Sequence, residues 1–128
     1  MVFLHVVANL TGQYAQPIIW IDKILHVMAG VAIAMFWVWV LQRQRVELEN
    51  ISRIIIFSSI VGFVAVIAIG WEIVEFSFWK GFPAYAEAYN IYSPTIFDLL
   101  SDVVSNLVGA LIFSIFVTNK IHRRTVND

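Results

Sequence analysis

Long apolar runs, interrupted by a few charged positions, are the dominant pattern of this chain. Three of them are long enough to cross a bilayer as a helix, which takes about 20 apolar residues. They cover residues 24–41, 54–79 and 95–118 and are separated by polar stretches at 42–53 and 80–94. The pattern predicts an all-α fold, an integral membrane helical bundle of three transmembrane helices.

The first 20 residues follow a different pattern. Residues 2–10 are apolar but too few to span, and Gly12 and Pro17 are expected to end any helix there. We therefore predict a short N-terminal interfacial or half-inserted helix within residues 1–20. No basic region precedes it, so a cleaved signal peptide is not expected. With residues 119–128 as a polar tail, residues 1–128 form a single membrane domain.

Composition supports a membrane protein and excludes several other classes. Hydrophobic residues make up 60% of the chain and charged residues 13%. No basic run with interleaved aromatic residues suggests nucleic-acid binding. The absence of cysteine excludes a disulfide framework, a thiolate metal site and a cysteine nucleophile.

Basic residues outside the spans predict the orientation. They form two groups, Arg43, Arg45 and Arg53 around the first loop, and Lys120, Arg123 and Arg124 after the third span. Positive loops stay in the cytoplasm. We therefore expect the N-terminus outside and the C-terminus in the cytoplasm, with Lys23 and Lys80 on the outer side.

Each predicted span also carries polar residues on one helical face, either within the span or just before it. They are Asp22 and His26 in the first, Glu72 and Glu75 in the second, and Asp98, Asp102 and Asn106 in the third. Spacings of three or four keep each group on one face. At 1.5 Å per residue, His26, Glu72 and Asp102 lie roughly 26 to 28 Å above the cytoplasmic basic residues, and the other three acids roughly 32 to 33 Å. The three faces should therefore meet near the outer leaflet.

Five carboxylates in a poorly solvated volume repel one another and need protons, basic partners or a bound cation. Carboxylates with an imidazole suit a divalent cation such as Mg, Mn, Ca or Zn. The candidate metal ligands are His26, Glu72, Glu75, Asp98 and Asp102; Asp22 and Asn106 complete the predicted ligand-binding set.

A structural interpretation stays open beside the metal site. Asp22, Glu75 and Asp98 suit helix-end charges at headgroup level, and Asn106 suits a hydrogen bond between helices. Small residues are expected where helices pack closely, namely Gly30, Gly62, Gly70, Gly109 and Ala110. Because three helices form a thin bundle, a homo-oligomer is a further possibility.

Two short strings resemble a known family. They run from Asp22 to Gly30 (DKILHVMAG) and from Asp102 to Ala110 (DVVSNLVGA), and they resemble VanZ-like membrane proteins. The string WEIVE at 71–75 is more similar to YjdF-like relatives. The resemblance covers residues 21–116, although Glu75 replaces an expected glutamine. The resemblance implies a small helical protein of a prokaryotic cell membrane, with an acidic cluster on the outer side. VanZ itself confers low-level resistance to a lipoglycopeptide that acts at the outer face.

Three functions are compatible with these residues. The favoured one is a protein of the cell envelope that binds a lipid, an amphipathic compound or a cation, with membrane lipids as its surroundings. The alternative is a metal-dependent enzyme acting on a lipid-linked phosphate, with Glu72 or Glu75 as general base. The sequence places no arginine near the cluster to hold phosphate, which ranks the enzyme second. A proton or ion relay is the third.

Overall fold

The computed structural model of this chain describes residues 19–88 and 95–127. Its long helices are α1 (Ile19–Arg43), α2 (Arg53–Gly81) and α4 (Ile96–Asn127), and the short helix α3 is Pro83–Ala88. The described residues contain no strand. Three helices are long and apolar enough to cross a membrane, over Ile21–Arg43, Arg53–Gly81 and Ile96–Ile121. The prediction of a helical membrane bundle is confirmed; the predicted interfacial helix at 2–10 lies outside the described residues.

Both predicted loops contain short helical segments. Between α1 and α2, the chain turns at Arg45, whose φ of 57° is left-handed, and then forms a 3-10 helix at Leu48–Asn50. Leu48 is buried, which anchors this connection to the bundle. In the second connection, Pro83 is the first residue of α3. Proline suits the first position of a helix because the N–H that it lacks has no partner there and its fixed φ is close to the helical value.

Buried positions recur every four residues along each long helix. They are His26, Gly30, Ala34 and Val38 in α1; Ile56, Ile60, Val64, Ala68 and Glu72 in α2; and Asp102, Asn106, Ala110, Ser114 and Thr118 in α4. A four-residue repeat stays close to one face of a helix with 3.6 residues per turn. We call this line of contact the buried seam. Many large apolar side chains off the seam, such as Ile54 and Val66, are exposed, as expected for helices that face lipid.

Helix α4 is the central element, because it packs along both α1 and α2, whereas the contact between α1 and α2 is smaller. That smaller contact includes a hydrogen bond from Trp37 Nε1 to Ser59 Oγ of 3.1 Å. The Trp37 ring also stacks on Phe63, with ring centroids 4.2 Å apart. These contacts fix α2 beside α1 in the half of the bundle near the 3-10 helix.

Helices α1 and α4 make their closest approach at two glycines. A Cβ atom added at Gly30 would collide with the backbone carbonyl of Asn106, and one at Gly109 with the backbone carbonyl of Val27. Small residues allow this kind of approach between membrane helices. An added Cβ at Gly62 or Gly70 meets no atom of a neighbouring helix within 4 Å among the described residues. The predicted close packing is therefore found at Gly30 and Gly109, whereas at Gly62 and Gly70 it is not found within the described part of the chain.

The two classes of glycine give a stability test. We expect Gly30→Ala to lower the free energy of unfolding by about 1 to 3 kcal/mol, because the new methyl group forces α1 away from α4. The matched change Gly62→Ala should instead raise it by about 0.5 to 1 kcal/mol, because alanine favours a helix and the site is open. Thermal unfolding in detergent measures both. Equal effects would contradict the close contact at Gly30.

Candidate functional site

The buried seam changes from apolar to polar at one end of the bundle. This end is formed by the first turns of α1 and α4 and the last turns of α2. His26, Glu72, Asp102 and Asn106 continue the seam and are each at most 4% exposed. Asp22, Glu75 and Asp98 lie one turn further out and are half-buried. We call these seven residues, together with Lys23, the polar cluster.

Lys23 is the central cation of the polar cluster. Its Nζ donates hydrogen bonds to Asp98 Oδ1 at 3.1 Å, to Asp22 Oδ2 at 3.4 Å and to Asp102 Oδ1. The contacts with Asp98 and Asp102 join α1 to α4. The sequence predicts Lys23 on the outer side, near the acids, but not as a member of the site. A position next to Asp22 points about 100° away from the Asp22–His26 face. Its long side chain bends back to the cluster, and helical spacing alone does not reveal this.

His26 and Asn106 form a second link between α1 and α4. Asn106 Nδ2 lies 2.9 Å from His26 Nδ1 and also donates to the backbone carbonyl of Asp102 at 2.9 Å. Since the amide donates, Nδ1 accepts, and a neutral ring carries its proton on Nε2; this tautomer is assigned from the hydrogen-bond geometry. Nε2 faces Asp22 Oδ1 at 3.6 Å and Asp102 Oδ1 at 3.5 Å. The imidazole therefore points its polar edge at the carboxylates.

Glu72 differs from these paired residues. It is 1% exposed, and neither of its carboxylate oxygens has a hydrogen-bond partner among the described residues. The carboxylates of Glu75, Asp102 and Asp22 are close enough to repel it. A buried carboxylate without a partner is costly, and more so beside like charges. Glu72 is thus a fully buried carboxylate that has neither a hydrogen bond nor an ion pair among the described residues.

The charges of the cluster do not balance. It holds five carboxylates, on Asp22, Glu72, Glu75, Asp98 and Asp102, against the ammonium of Lys23 and the imidazole of His26. If all five are ionised, negative charge exceeds positive by three or four. Lys80, the other basic residue expected nearby, lies over the rings of Phe76 and Trp79 at 5.7 and 5.2 Å from their centroids. The excess charge has to be met by protons or by a bound cation.

Three residues have donor atoms suited to one metal ion. One ligand atom each of Asp22, His26 and Asp102 lies within 4.8 Å of the others. Ligands of an ion with bonds of about 2.1 Å lie about 3 to 4 Å apart, so a contraction of order 1 Å brings the three into one shell. For His26 to bind through Nε2, its proton has to move to Nδ1 and the Asn106 amide has to turn its oxygen to the ring.

The predicted ligand set is thus divided by the structure. His26 and Asp102 lie in the compact triad together with Asp22, which was predicted as a binding residue but not as a metal ligand. Glu72, Glu75 and Asp98 lie in the polar cluster but outside that triad. Asn106 bridges two helices, the role that its residue type suggested.

Comparison with known proteins places the chain in a family. A family model described as a predicted membrane protein, DUF2238, matches residues 1–123. No curated protein and no solved structure gives a significant match. A match over nearly the whole chain agrees with the three apolar helices of the structure. The chain belongs to the DUF2238 family of predicted membrane proteins.

Proposed function

We propose that this protein is a membrane binding protein whose polar cluster takes up a divalent cation. Mg, Mn, Ca and Zn all suit the donor set of carboxylate oxygens and one imidazole nitrogen. The observation that carries the proposal is Glu72, a fully buried carboxylate with no hydrogen-bond partner beside several other carboxylates. A cation in the cluster reduces the excess negative charge that Glu72 experiences.

A purely structural polar core accounts for Glu72 less well. Buried polar networks that only hold helices together have their donors and acceptors paired, as Lys23 with Asp102 and His26 with Asn106 do here. Protonation removes the charge of Glu72, but the resulting hydroxyl then needs an acceptor of its own. Neither oxygen of Glu72 makes a hydrogen bond to another described residue. A cation or a ligand group bound in the cluster would supply the positive charge or the hydrogen bond that Glu72 lacks.

The open end of the cluster suggests the kind of ligand. The side chains of Asp22 and Asp98 are 30% and 33% exposed, so the cluster reaches the end of the bundle. By the distribution of basic residues, this end lies at the outer leaflet of the cell membrane. We infer that the cation holds the phosphate group of a cell-envelope lipid or amphipathic compound. The resemblance to VanZ-like and YjdF-like proteins, which implies a prokaryotic cell and an outer-side acidic cluster, supports this choice.

Metal content tests the cation site. Detergent-purified protein, dialysed against a weak chelator after loading with Mn²⁺ or Zn²⁺, should retain about one equivalent of metal, because a site with three protein ligands binds well above background. His26→Ala and Asp102→Asn should abolish retention, since each removes a triad ligand. Glu72→Gln should weaken it by removing a nearby negative charge. Elemental analysis gives the stoichiometry.

Glu47→Gln is the matched control for these variants, because Glu47 is an exposed carboxylate at the opposite end of the bundle. Its metal content should equal that of the wild type. The unfolding transition shows whether the wild-type protein is folded. A folded wild type that retains no metal would contradict the cation site and leave the cluster with a structural role.

The second candidate function is a metal-dependent enzyme acting on a lipid-linked phosphate. The observation that favours it is the position of Glu72 near the Asp22–His26–Asp102 triad without a partner of its own, as expected of a general base beside a metal ion.

The enzyme hypothesis predicts phosphate release. Metal-loaded protein in vesicles that contain a lipid pyrophosphate should release inorganic phosphate, and Glu72→Gln should reduce the rate by about 100-fold or more, the usual contribution of a general base. Glu47→Gln again serves as the control. Metal-loaded wild type that releases no phosphate above the metal-free protein would exclude the enzyme and leave the binding function intact.

A further inference from the structure

The ammonium group of Lys23 occupies the carboxylates that a metal ion needs. Asp22 and Asp102 are two of the three residues of the triad, and both accept hydrogen bonds from Lys23. The overlap extends to single atoms, because the same Oδ1 of Asp102 accepts from Lys23 Nζ and faces His26 Nε2. An ion bound to that oxygen would lie next to the ammonium group and be repelled by it. Cation and lysine therefore compete for one position.

We propose that Lys23 is a built-in counter-ion of the site and that a divalent cation binds by displacing its ammonium group. The inference rests on the proposed function and adds a regulatory element to it. Lys23 stabilises the cluster in the absence of a cation, since Asp102 is almost fully buried and needs a positive partner. The same contacts set a threshold, because an ion has to break three hydrogen bonds before it binds.

The position of Lys23 allows the exchange. It lies in the first turns of α1, which begins at Ile19, and its side chain is 21% exposed. A lysine near a helix end reaches the membrane interface with its flexible stem while its charge moves into water. The displaced ammonium group can therefore move into water, whereas the buried carboxylates stay within the cluster and need a cation there.

Removing the ammonium group tests the competition. Lys23→Met keeps the apolar stem and abolishes the charge, so we expect it to bind Mn²⁺ or Zn²⁺ about tenfold more tightly than the wild type, which corresponds to about 1.4 kcal/mol. Lys80→Met is the matched control, because Lys80 lies over aromatic rings at the end of α2. Its affinity should stay within about twofold of the wild type. Calorimetric titration of full-length protein in detergent measures all three.

A second measurement needs no variant and so does not depend on whether Lys23→Met folds. A water-soluble amine-acylating reagent should modify Lys23 severalfold faster when Mn²⁺ is added to the wild type, because the displaced ammonium group is in solvent. Lys80 in the same molecule is the internal reference and should react at an unchanged rate. Mass spectrometry of the two peptides gives both rates.

The outcomes separate this inference from the proposed function. A wild type that binds metal through His26, with a Lys23→Met variant that binds no more tightly and an acylation rate that metal leaves unchanged, overturns the displacement and preserves the cation site. Failure of both the wild type and Lys23→Met to bind metal overturns both. Tighter binding by Lys23→Met together with faster acylation of wild-type Lys23 supports the exchange.

Discussion

The close contact of α1 with α4 at Gly30 and Gly109 determines the rest of the bundle. At this crossing the two backbones meet without intervening side chains. In the adjoining turns, polar side chains of one helix can therefore contact those of the other. Asn106 reaches His26 across this gap, and Lys23 reaches Asp102. In a bilayer, where burial of apolar surface does not drive helices together, such tight packing and polar contacts supply the association. The polar cluster is thus a consequence of backbone proximity.

A second constraint is electrostatic. The chain places five acids at one end of the bundle, where apolar residues would avoid the cost of burying charge. Replacement of buried ion pairs by apolar residues is often neutral or stabilising, so packing alone does not explain their presence. Charged groups within membrane spans are usually associated with ion or substrate sites for this reason. The arrangement of Lys23 and Glu72, one fully engaged and the other unpartnered, agrees with a site that exists in two states of occupancy.

Much of this architecture follows from the sequence. Three spans were predictable because each needs about 20 apolar residues, and the common level of His26, Glu72 and Asp102 along the bundle was predictable because helical rise is constant. The inward turn of the Lys23 side chain was not predictable. Its four methylene groups are flexible, so its ammonium group can lie on a different side of the helix from its Cα. The outward placement of Gly62 and Gly70 was not predictable either, because composition does not indicate which face of an apolar helix meets its neighbours. Helix α3 was not predicted, because six residues are too few to show a helical repeat of apolar positions.

The hydrogen bond between Trp37 and Ser59 has a mechanical consequence for α2. It fixes this helix to α1 in one half of the bundle, whereas Glu72 lies 13 residues further along, or about 20 Å at 1.5 Å per residue. Between these two points the buried residues of α2 are Ile60, Val64 and Ala68, whose side chains have no polar group to form a hydrogen bond with a neighbouring helix. A force on the Glu72 carboxylate therefore acts on α2 about 20 Å from the hydrogen bond that joins this helix to α1, and the contact of α2 with α4 has to resist it.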